Sequence, residues 1–230
     1  MPNQQPLKIA VLVSGNGSNL QVLIDQMLAD ALPIKLVGVI SNKADAYALE
    51  RVRLTNAQHH SAIQTAIIDR DNNGKKYSRV GFEQRALAVL GEWQPDLVVL
   101  AGFMRILTPL FIDGVSQTLN APMINLHPSL LPAYKGVNTH QRVLQTGERF
   151  HGCSVHMVTS ELDAGRVIAQ AVTAITPHEN AEQLQQRVHG LEYQLLPLVV
   201  NLFARRLLVW QSGTLVNQSG LPMPLRLWLD

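Results

Sequence analysis

Apolar residues along the chain fall into short continuous runs, and these runs alternate with stretches of helical periodicity. Residues 7–13 are mostly apolar and rich in β-branched side chains, and after a glycine-containing loop the apolar residues of 20–28 recur at helical spacing. The unit repeats, with strands predicted at 35–40, 66–68 and 97–101 and helices at 44–55 and about 75–91. Because strands that are apolar throughout have both faces covered, the pattern predicts an α/β fold with an open, twisted, mostly parallel sheet and helices on both faces.

The second half of the chain follows a different pattern. Strands are predicted at 123–126, 153–158 and 167–173, and a short acidic turn between the last two predicts a mixed sheet in this half. A long helix is predicted over 180–206 with a kink or break at Pro197, followed by short β-like runs at 207–210 and 214–216 and a proline-containing end. We expect a single domain over residues 1–230, with an N-terminal half (7–120), a C-terminal half (121–206) and a tail (207–230).

Composition and charge exclude several classes of protein. The 19 Lys and Arg against 17 Asp and Glu leave a net charge of +2, without the clustered basic excess of a nucleic-acid-binding protein. The apolar stretch near residue 200 contains Pro197 and Asn201 and is shorter than the ~20 residues that span a bilayer, so we expect no membrane segment. The N-terminus shows no secretion signal and the single Cys153 suits a reducing compartment, so we expect a cytoplasmic protein.

A glycine loop follows the first predicted strand and opens the first helix. In the sequence Gly15-Asn16-Gly17-Ser18-Asn19, backbone N–H groups and the positive end of a helix converge where a phosphate can bind. The loop lacks the third glycine of a dinucleotide-binding fingerprint, and it lacks the Gly-Lys-Ser/Thr of a P-loop. It therefore favours a phosphate monoester over NAD or ATP, and the alternative is a tight turn that binds nothing.

An amide and an imidazole are predicted to share one face at the end of the 123–126 strand. Asn125 and His127 are two residues apart, so in an extended chain they point the same way, just before the proline-bounded loop 128–132. Asp163 lies in the acidic turn, and we expect it to return to this pair, where an acid favours the imidazolium. Two such donors suit the stabilisation of an oxyanion at a carbonyl under attack, which makes these three the predicted catalytic residues.

The histidines raise two alternative chemistries. Four of the eight, His127, His140, His151 and His156, lie within thirty residues, as in some metal sites. None belongs to a His-Glu-x-x-His pair and the chain has no Cys-x-x-Cys, so the spacing argues against a metal and we expect none. A Ser-His-Asp hydrolase is the second alternative, but the chain lacks the Gly-x-Ser-x-Gly elbow.

Five motifs, taken in order, resemble one enzyme family. They are Ser-Gly-Asn-Gly-Ser-Asn-Leu at 14–20, Ser-Asn-Lys-Ala-Asp-Ala at 41–46, Leu-Ala-Gly-Phe-Met-Arg-Ile-Leu at 100–107, Asn-Leu-His-Pro-Ser-Leu-Leu-Pro at 125–132 and His-Gly-Cys-Ser-Val-His at 151–156. From about residue 8 to about residue 203 the chain resembles the phosphoribosylglycinamide formyltransferases, folate-dependent enzymes of purine synthesis. The resemblance implies a Rossmann-like formyltransferase fold that transfers a formyl group from 10-formyltetrahydrofolate to the amine of glycinamide ribonucleotide, without a metal.

The resemblance also implies where each substrate binds. The N-terminal half would hold the substrate phosphate through Gly17, Ser18 and Asn19, and Glu192 would contact the ribose. The C-terminal half would bind the folate and carry Asn125, His127 and Asp163, which match the family's catalytic trio. The residues that would line the folate pocket are Met104, Arg105, Ile106, Leu107, Asn125, Thr159, Ser160, Glu161, Leu162 and Asp163, with Arg79 facing the glutamate end.

Other functions remain as alternatives. Methionyl-tRNA formyltransferases and formyltetrahydrofolate hydrolases resemble the chain in the same Asn-x-His neighbourhood. The first is expected to need a further basic domain, and the second a regulatory N-terminal domain and no phosphate loop. A nucleotide-binding module that keeps the fold without catalysis is the third alternative. The expected partners are the two small-molecule substrates, with neither nucleic acid nor membrane, and a homodimer is left open.

Overall fold

Eight strands form one continuous sheet in the computed structural model, which describes residues 5–228. The described residues contain ten strands, β1 (Leu7–Val13), β2 (Ile34–Ser41), β3 (Gln64–Ile67), β4 (Leu97–Ala101), β5 (Met123–His127), β6 (Phe150–Met157), β7 (Val167–Ala174), β8 (Leu208–Gln211), β9 (Thr214–Asn217) and β10 (Leu225–Trp228). They also contain six α-helices, α1 (Ser18–Leu28), α2 (Tyr47–His59), α3 (Arg79–Trp93), α4 (Pro109–Asp113), α5 (Thr139–Thr146) and α6 (Ala181–Ala204), and a π-helical turn (Gly114–Thr118). The predicted domain limits at residues 1 and 230 lie outside the described part.

The sheet is mostly parallel and has one reversed strand. Its strand order is β10-β7-β6-β5-β4-β1-β2-β3, and β6 runs antiparallel to both β5 and β7 while the other neighbouring pairs are parallel. Strands β8 and β9 form a separate hairpin. The predicted fold class is therefore confirmed, including the mixed sheet of the C-terminal half.

Two buried layers cover the sheet, one on each face. In β1 the residues Ile9, Val11 and Val13 enter one apolar cluster and Ala10 and Leu12 enter the other, because successive side chains of a strand point to opposite faces. The first layer also takes residues from α1, α2, α5 and α6, and the second takes residues from α3, α4 and the π-helical turn. This double cover explains why β1, β4 and β5 are apolar almost throughout.

Two predicted helices begin later in the structure than in the prediction. Helix α3 starts at Arg79, because the hydroxyl of Ser78 accepts the backbone N–H of Gly81 and caps the helix there, while Arg70 and Lys76 pair in the preceding loop. Helix α2 begins at Tyr47 and continues to His59. The predicted starts near residues 75 and 44 are therefore wrong by a few residues.

The C-terminal part of the chain also differs from the prediction. Helix α6 runs through Pro197 without a break, because its neighbours Leu195, Leu196 and Val199 are fully buried and hold the helix against the sheet. The two β-like runs predicted in the tail are present as β8 and β9, which pair as a hairpin, whereas β10, α4 and α5 were not predicted. Within residues 5–228, no helix combines the length and hydrophobicity needed to cross a bilayer.

Candidate active site

The glycine loop connects β1 to α1 at the carboxyl edge of the sheet. Gly17 has φ 73°, and a Cβ there would lie 2.5 Å from the Cβ of Ala48, so both the backbone and the space require glycine. Arg51 holds the outer side of the loop by donating to the carbonyl and to the side-chain oxygen of Asn16, at 2.8 Å each. No side chain caps α1, so its first N–H groups remain available to an anion.

Glu192 of α6 lies against the first turn of α1. Its carboxylate accepts a hydrogen bond from the side-chain nitrogen of Asn19 at 2.9 Å, and only 5% of the residue is exposed. Burial raises the pKa of Glu192 to about 7, against the lowering effect of the Asn19 hydrogen bond. The structure thus brings Gly17, Asn19 and Glu192 together.

Both ring nitrogens of His127 face oxygen acceptors. Nε2 lies 3.0 Å from the carbonyl oxygen of Tyr134, which can only accept, so this nitrogen carries a hydrogen. Nδ1 lies 3.5 Å from Oδ2 of Asp163, an oxygen that also accepts the backbone N–H of Gly136 at 2.9 Å. The side chains of His127 and Asp163 are each only 7% exposed.

A tight turn returns Asp163 to the end of β5. Asp163 has φ 48°, and the following Gly165 leaves no room for a side chain, because a Cβ there would lie 1.8 Å from the carbonyl oxygen of Met157. The glycine lets the turn pack directly against the end of β6. The acid therefore reaches the Asn-x-His pair from a position 36 residues beyond His127 in the chain.

His156 fixes the side chain of Asn125, a role that the sequence analysis missed. The two residues are register partners in the β5–β6 pair, and Nε2 of His156 lies 3.1 Å from Nδ2 of Asn125. Nδ1 of His156 donates to the carbonyl of Met157 at 2.9 Å, so Nε2 of the neutral ring accepts from the Asn125 amide. Burial lowers the pKa of His156 and favours this neutral form, although the Met157 carbonyl and Asp163 oppose the shift. The second N–H of the amide makes no hydrogen bond to another described residue.

A cleft opens beside Asn125 and His156. Its lining residues are Leu100, Phe103, Arg105, Ile106, Leu107, Asn125, His156, Val158, Thr159, Ser160, Glu161, Leu162 and Asp163. Most of the predicted folate-binding residues are in this lining. Met104 is 69% exposed and lies outside it, and Arg79 is exposed at the start of α3. Leu100, Phe103, His156 and Val158 were not among the predicted residues.

The alternative chemistries find no support in the geometry. Ser129 and Ser154 lie two residues from His127 and His156, and their hydroxyls donate to the carbonyls of Ala133 and Ser129 and not to a histidine. Both serines are fully buried. Among residues 5–228, no group of three or more His, Cys, Asp or Glu side chains is placed to hold a metal ion.

The sequence matches a known family over most of its length. The family described as formyl transferase matches residues 7–200. The chain belongs to the formyl transferase family. Its class as an enzyme and the resemblance found in the five motifs are therefore confirmed.

Several relatives of this formyl transferase carry one name. The chain is 39% identical over 217 residues to the phosphoribosylglycinamide formyltransferase of Escherichia coli K12, and the match covers 94% of this chain and 96% of the relative. It is 43% identical over 219 residues to the enzyme of the same name from Haemophilus influenzae, with the same coverage. The solved phosphoribosylglycinamide formyltransferase of Coxiella burnetii superposes with a TM-score of 0.82 at 42% identity, covering 96% of this formyl transferase and 99% of that chain.

Proposed function

We propose that the protein transfers the formyl group of 10-formyltetrahydrofolate to the amine of glycinamide ribonucleotide. The products are formylglycinamide ribonucleotide and tetrahydrofolate, in the synthesis of purines. The observation that carries the proposal is one edge of the sheet, where a glycine loop leaves the first N–H groups of α1 uncapped and where Asn125, His127 and Asp163 form a cluster next to a cleft. Relatives named for this reaction share about two fifths of the sequence over nearly the whole chain.

The phosphate of glycinamide ribonucleotide is proposed to bind at Gly17, Ser18 and Asn19. The backbone N–H groups at the start of α1 point outward there, and the helix dipole favours an anion. Glu192 is proposed to accept a ribose hydroxyl, since its carboxylate lies one hydrogen bond from Asn19. Anchoring both groups directs the amine of the substrate along the sheet edge toward β5.

The folate is proposed to occupy the cleft beside β4 and β5. Residues 105–107 and 159–163 line it, and they include the apolar residues Ile106, Leu107 and Leu162. Arg79 is proposed to meet the glutamate end, because it is exposed at the start of α3 and free of any hydrogen bond to other described residues. Neither a metal nor a tightly bound cofactor is required, and the folate is consumed as a co-substrate.

The catalytic cluster is proposed to stabilise charge at the formyl oxygen. As the amine attacks, the formyl carbon becomes tetrahedral and its oxygen gains negative charge. Asn125 donates the N–H that His156 leaves free, and His127 donates from Nδ1, whose 3.5 Å separation from Asp163 is longer than a full hydrogen bond. Asp163 also orders a water that carries the proton from the amine to the leaving nitrogen. Holding both substrates side by side makes the attack effectively unimolecular.

An absorbance assay for deformylated folate tests the proposed function. The chain is mixed with 10-formyltetrahydrofolate, with and without glycinamide ribonucleotide, and a third sample receives charged methionyl-tRNA instead. Product formed only with the ribonucleotide is the expected result. Product without an acceptor would indicate a hydrolase, product only with methionyl-tRNA would indicate the tRNA enzyme, and no product in any sample would indicate a binding module.

The compartment is also part of the proposal. The chain has one cysteine, Cys153, which is buried, and burial raises the pKa of its thiol well above the ordinary value. An inert, unpaired thiol suits a reducing environment. We therefore place the reaction in the cytoplasm.

A further inference from the structure

One buried hydroxyl, that of Ser14, joins three loops at the carboxyl edge of the sheet. Ser14 follows β1 directly and is 3% exposed. Its hydroxyl donates to the side-chain oxygen of Asn42 after β2, at 2.6 Å, and accepts the backbone N–H of Met104 after β4, at 2.8 Å. Its own N–H donates to the carbonyl of Gly102 at 3.2 Å.

These bonds connect the two proposed binding segments. On one side of Ser14 is the glycine loop, which starts with the next residue in the chain. On the other side is the folate segment 104–107, whose first N–H is bonded to the Ser14 hydroxyl. No other described side chain bonds directly to this N–H, so the Ser14 hydroxyl is the side-chain link between the glycine loop and the folate segment, next to the backbone bond from Ser14 to Gly102.

The folate segment is also fixed at its far end. The carboxylate of Glu83, a buried residue of α3, accepts both the backbone N–H of Thr108 at 2.8 Å and the Thr108 hydroxyl at 2.5 Å. The segment therefore cannot relieve a displacement at Met104 by sliding along α3. Ser14 therefore contacts the folate segment at one end, and Glu83 contacts it at the other.

We propose that Ser14 is a positioning residue that couples binding of the two substrates. A ligand that orders one loop lowers the entropy that the second ligand must remove from the other loop, so each tightens the binding of the other. The inference rests on the proposed function, because it takes the glycine loop and the 104–107 segment as the two binding segments. Ser14 need not touch either substrate to have this effect.

Ser41 provides a matched control. It is also buried, it ends β2 as register partner of Val13, and its hydroxyl makes two hydrogen bonds. Both are to the backbone of Lys43 in its own loop, at 2.8 and 3.1 Å. Removing the Ser41 hydroxyl deletes two bonds within the turn that contains Asn42, and it leaves both partners of the Ser14 hydroxyl, Asn42 and Met104, in place.

The test measures the coupling itself. Binding of tetrahydrofolate to the full chain is measured by calorimetry with and without saturating glycinamide ribonucleotide, a pair that cannot react because the formyl group is missing. We expect the ribonucleotide to tighten tetrahydrofolate binding about fivefold or more in the native chain and in Ser41→Ala, with the same factor in the reverse titration. In Ser14→Ala we expect each ligand alone to bind within about twofold of native while the coupling factor falls close to one.

Two results would overturn the inference. One is a native chain in which the ribonucleotide leaves the affinity for tetrahydrofolate unchanged. The other is a Ser14→Ala variant in which the ribonucleotide tightens tetrahydrofolate binding by the same factor as in the native chain. If Ser14→Ala does not fold, Asn42→Ala decides, because it removes the acceptor that orients the Ser14 hydroxyl, and an unchanged factor in that variant contradicts the coupling role. Failure of the proposed function is distinguishable, because in that case the native chain would bind neither ligand or would show no formyl transfer to the ribonucleotide.

Discussion

The glycine loop after β1 and the proposed catalytic cluster at the end of β5 lie at the same edge of the sheet, yet they are built in opposite ways. The loop presents backbone N–H groups, and its shape depends on a left-handed Gly17 packed against Ala48. The cluster presents side chains, and their partners are distant in sequence, such as His156 for Asn125 and Asp163 for His127.

This difference matches the proposed roles, which are phosphate binding for the loop and catalysis for the cluster. A site made of backbone groups changes when the conformation of the chain changes, whereas a site made of oriented side chains changes when one side chain or its partner is replaced. Substitutions in the loop should therefore weaken affinity for the ribonucleotide. Substitutions in the cluster should lower the rate of transfer and leave that affinity nearly unchanged.

The largest expected effect is that of His127→Ala. The variant loses one of the two donors proposed for the formyl oxygen, so kcat should fall by about a hundredfold or more. The dissociation constant of glycinamide ribonucleotide, measured by calorimetry, should stay within about threefold, because His127 lies away from the glycine loop. His59→Ala, a change at an exposed histidine at the end of α2, serves as the control and should keep native kcat. A His127→Ala enzyme with near-native kcat would remove His127 from the proposed chemistry.

Gly17→Ala tests the other region. The left-handed conformation costs a side chain about 1–2 kcal/mol, and the contact with Ala48 adds to that cost, so we expect ribonucleotide affinity to drop about twentyfold or more. Tetrahydrofolate alone should bind as in the native chain. Gly91→Ala is the matched control, because a Cβ there meets Leu119 at an ordinary 3.9 Å in the last turn of α3. Equal ribonucleotide affinity in the two variants would show that the glycine loop is not the phosphate site.

Variants of His156 test the cluster indirectly, because His156 orients the side chain of Asn125. His156→Leu removes the acceptor that holds the Asn125 amide, and the loss of one such hydrogen bond, about 1–1.5 kcal/mol, should lower kcat about tenfold. His156→Gln keeps an acceptor in a similar place and should recover part of that loss. If the KM for the ribonucleotide changed while kcat did not, His156 would belong to binding instead.

The smallest expected effect concerns stability in acid. Burial lowers the pKa of His140 and of His151 to about 4, and the charges of neighbouring histidines add to the shift. The unfolded chain takes up protons at these residues near pH 6.5, whereas the folded chain does not until about pH 4, so they reduce stability as pH falls through this range.

The measurement is the urea midpoint at pH 7 and at pH 5, compared between the native chain and His151→Gln. We expect a smaller fall in the variant, because it has one fewer group to protonate in the unfolded state. Protonation of Glu192 acts in the opposite direction, because its raised pKa of about 7 stabilises the folded chain as the pH falls from 7 toward 4.5. The fall in the urea midpoint must therefore be compared between the native chain and His151→Gln. An identical fall in both proteins would contradict the assignment for His151.

The N-terminal region could largely be predicted from the sequence because its determinants are local. β1 was predicted over the same residues as in the structure, and the predicted bounds of the loop and of α1 lie within a few residues of the observed ones. The apolar run, the glycines and the helical periodicity all fall within about thirty residues. Only the contact of Gly17 with Ala48, which explains why glycine is needed there, could not be predicted without the structure.

The catalytic region could be predicted only in part because its determinants are distant. The period-two spacing placed Asn125 and His127 on one face, but the partner of Asn125 depends on the register between β5 and β6, which periodicity does not give. Helices α4 and α5, of five and eight residues, are too short to show a clear helical period. β10 forms by pairing with β7 over fifty residues away, and no local pattern marked it.

The proposed separation of binding by the loop from catalysis by the cluster is tested most directly with Asn125→Ala. The measurement is the single-turnover rate of formyl transfer with both substrates saturating, together with the dissociation constant of the ribonucleotide for the same variant. We expect formyl transfer to slow about a hundredfold or more, with affinity within about threefold of native, because the amide acts on the formyl oxygen and not on the phosphate. Transfer at the native rate, or a slow rate explained entirely by weakened ribonucleotide binding, would contradict the assignment of Asn125 to the chemical step.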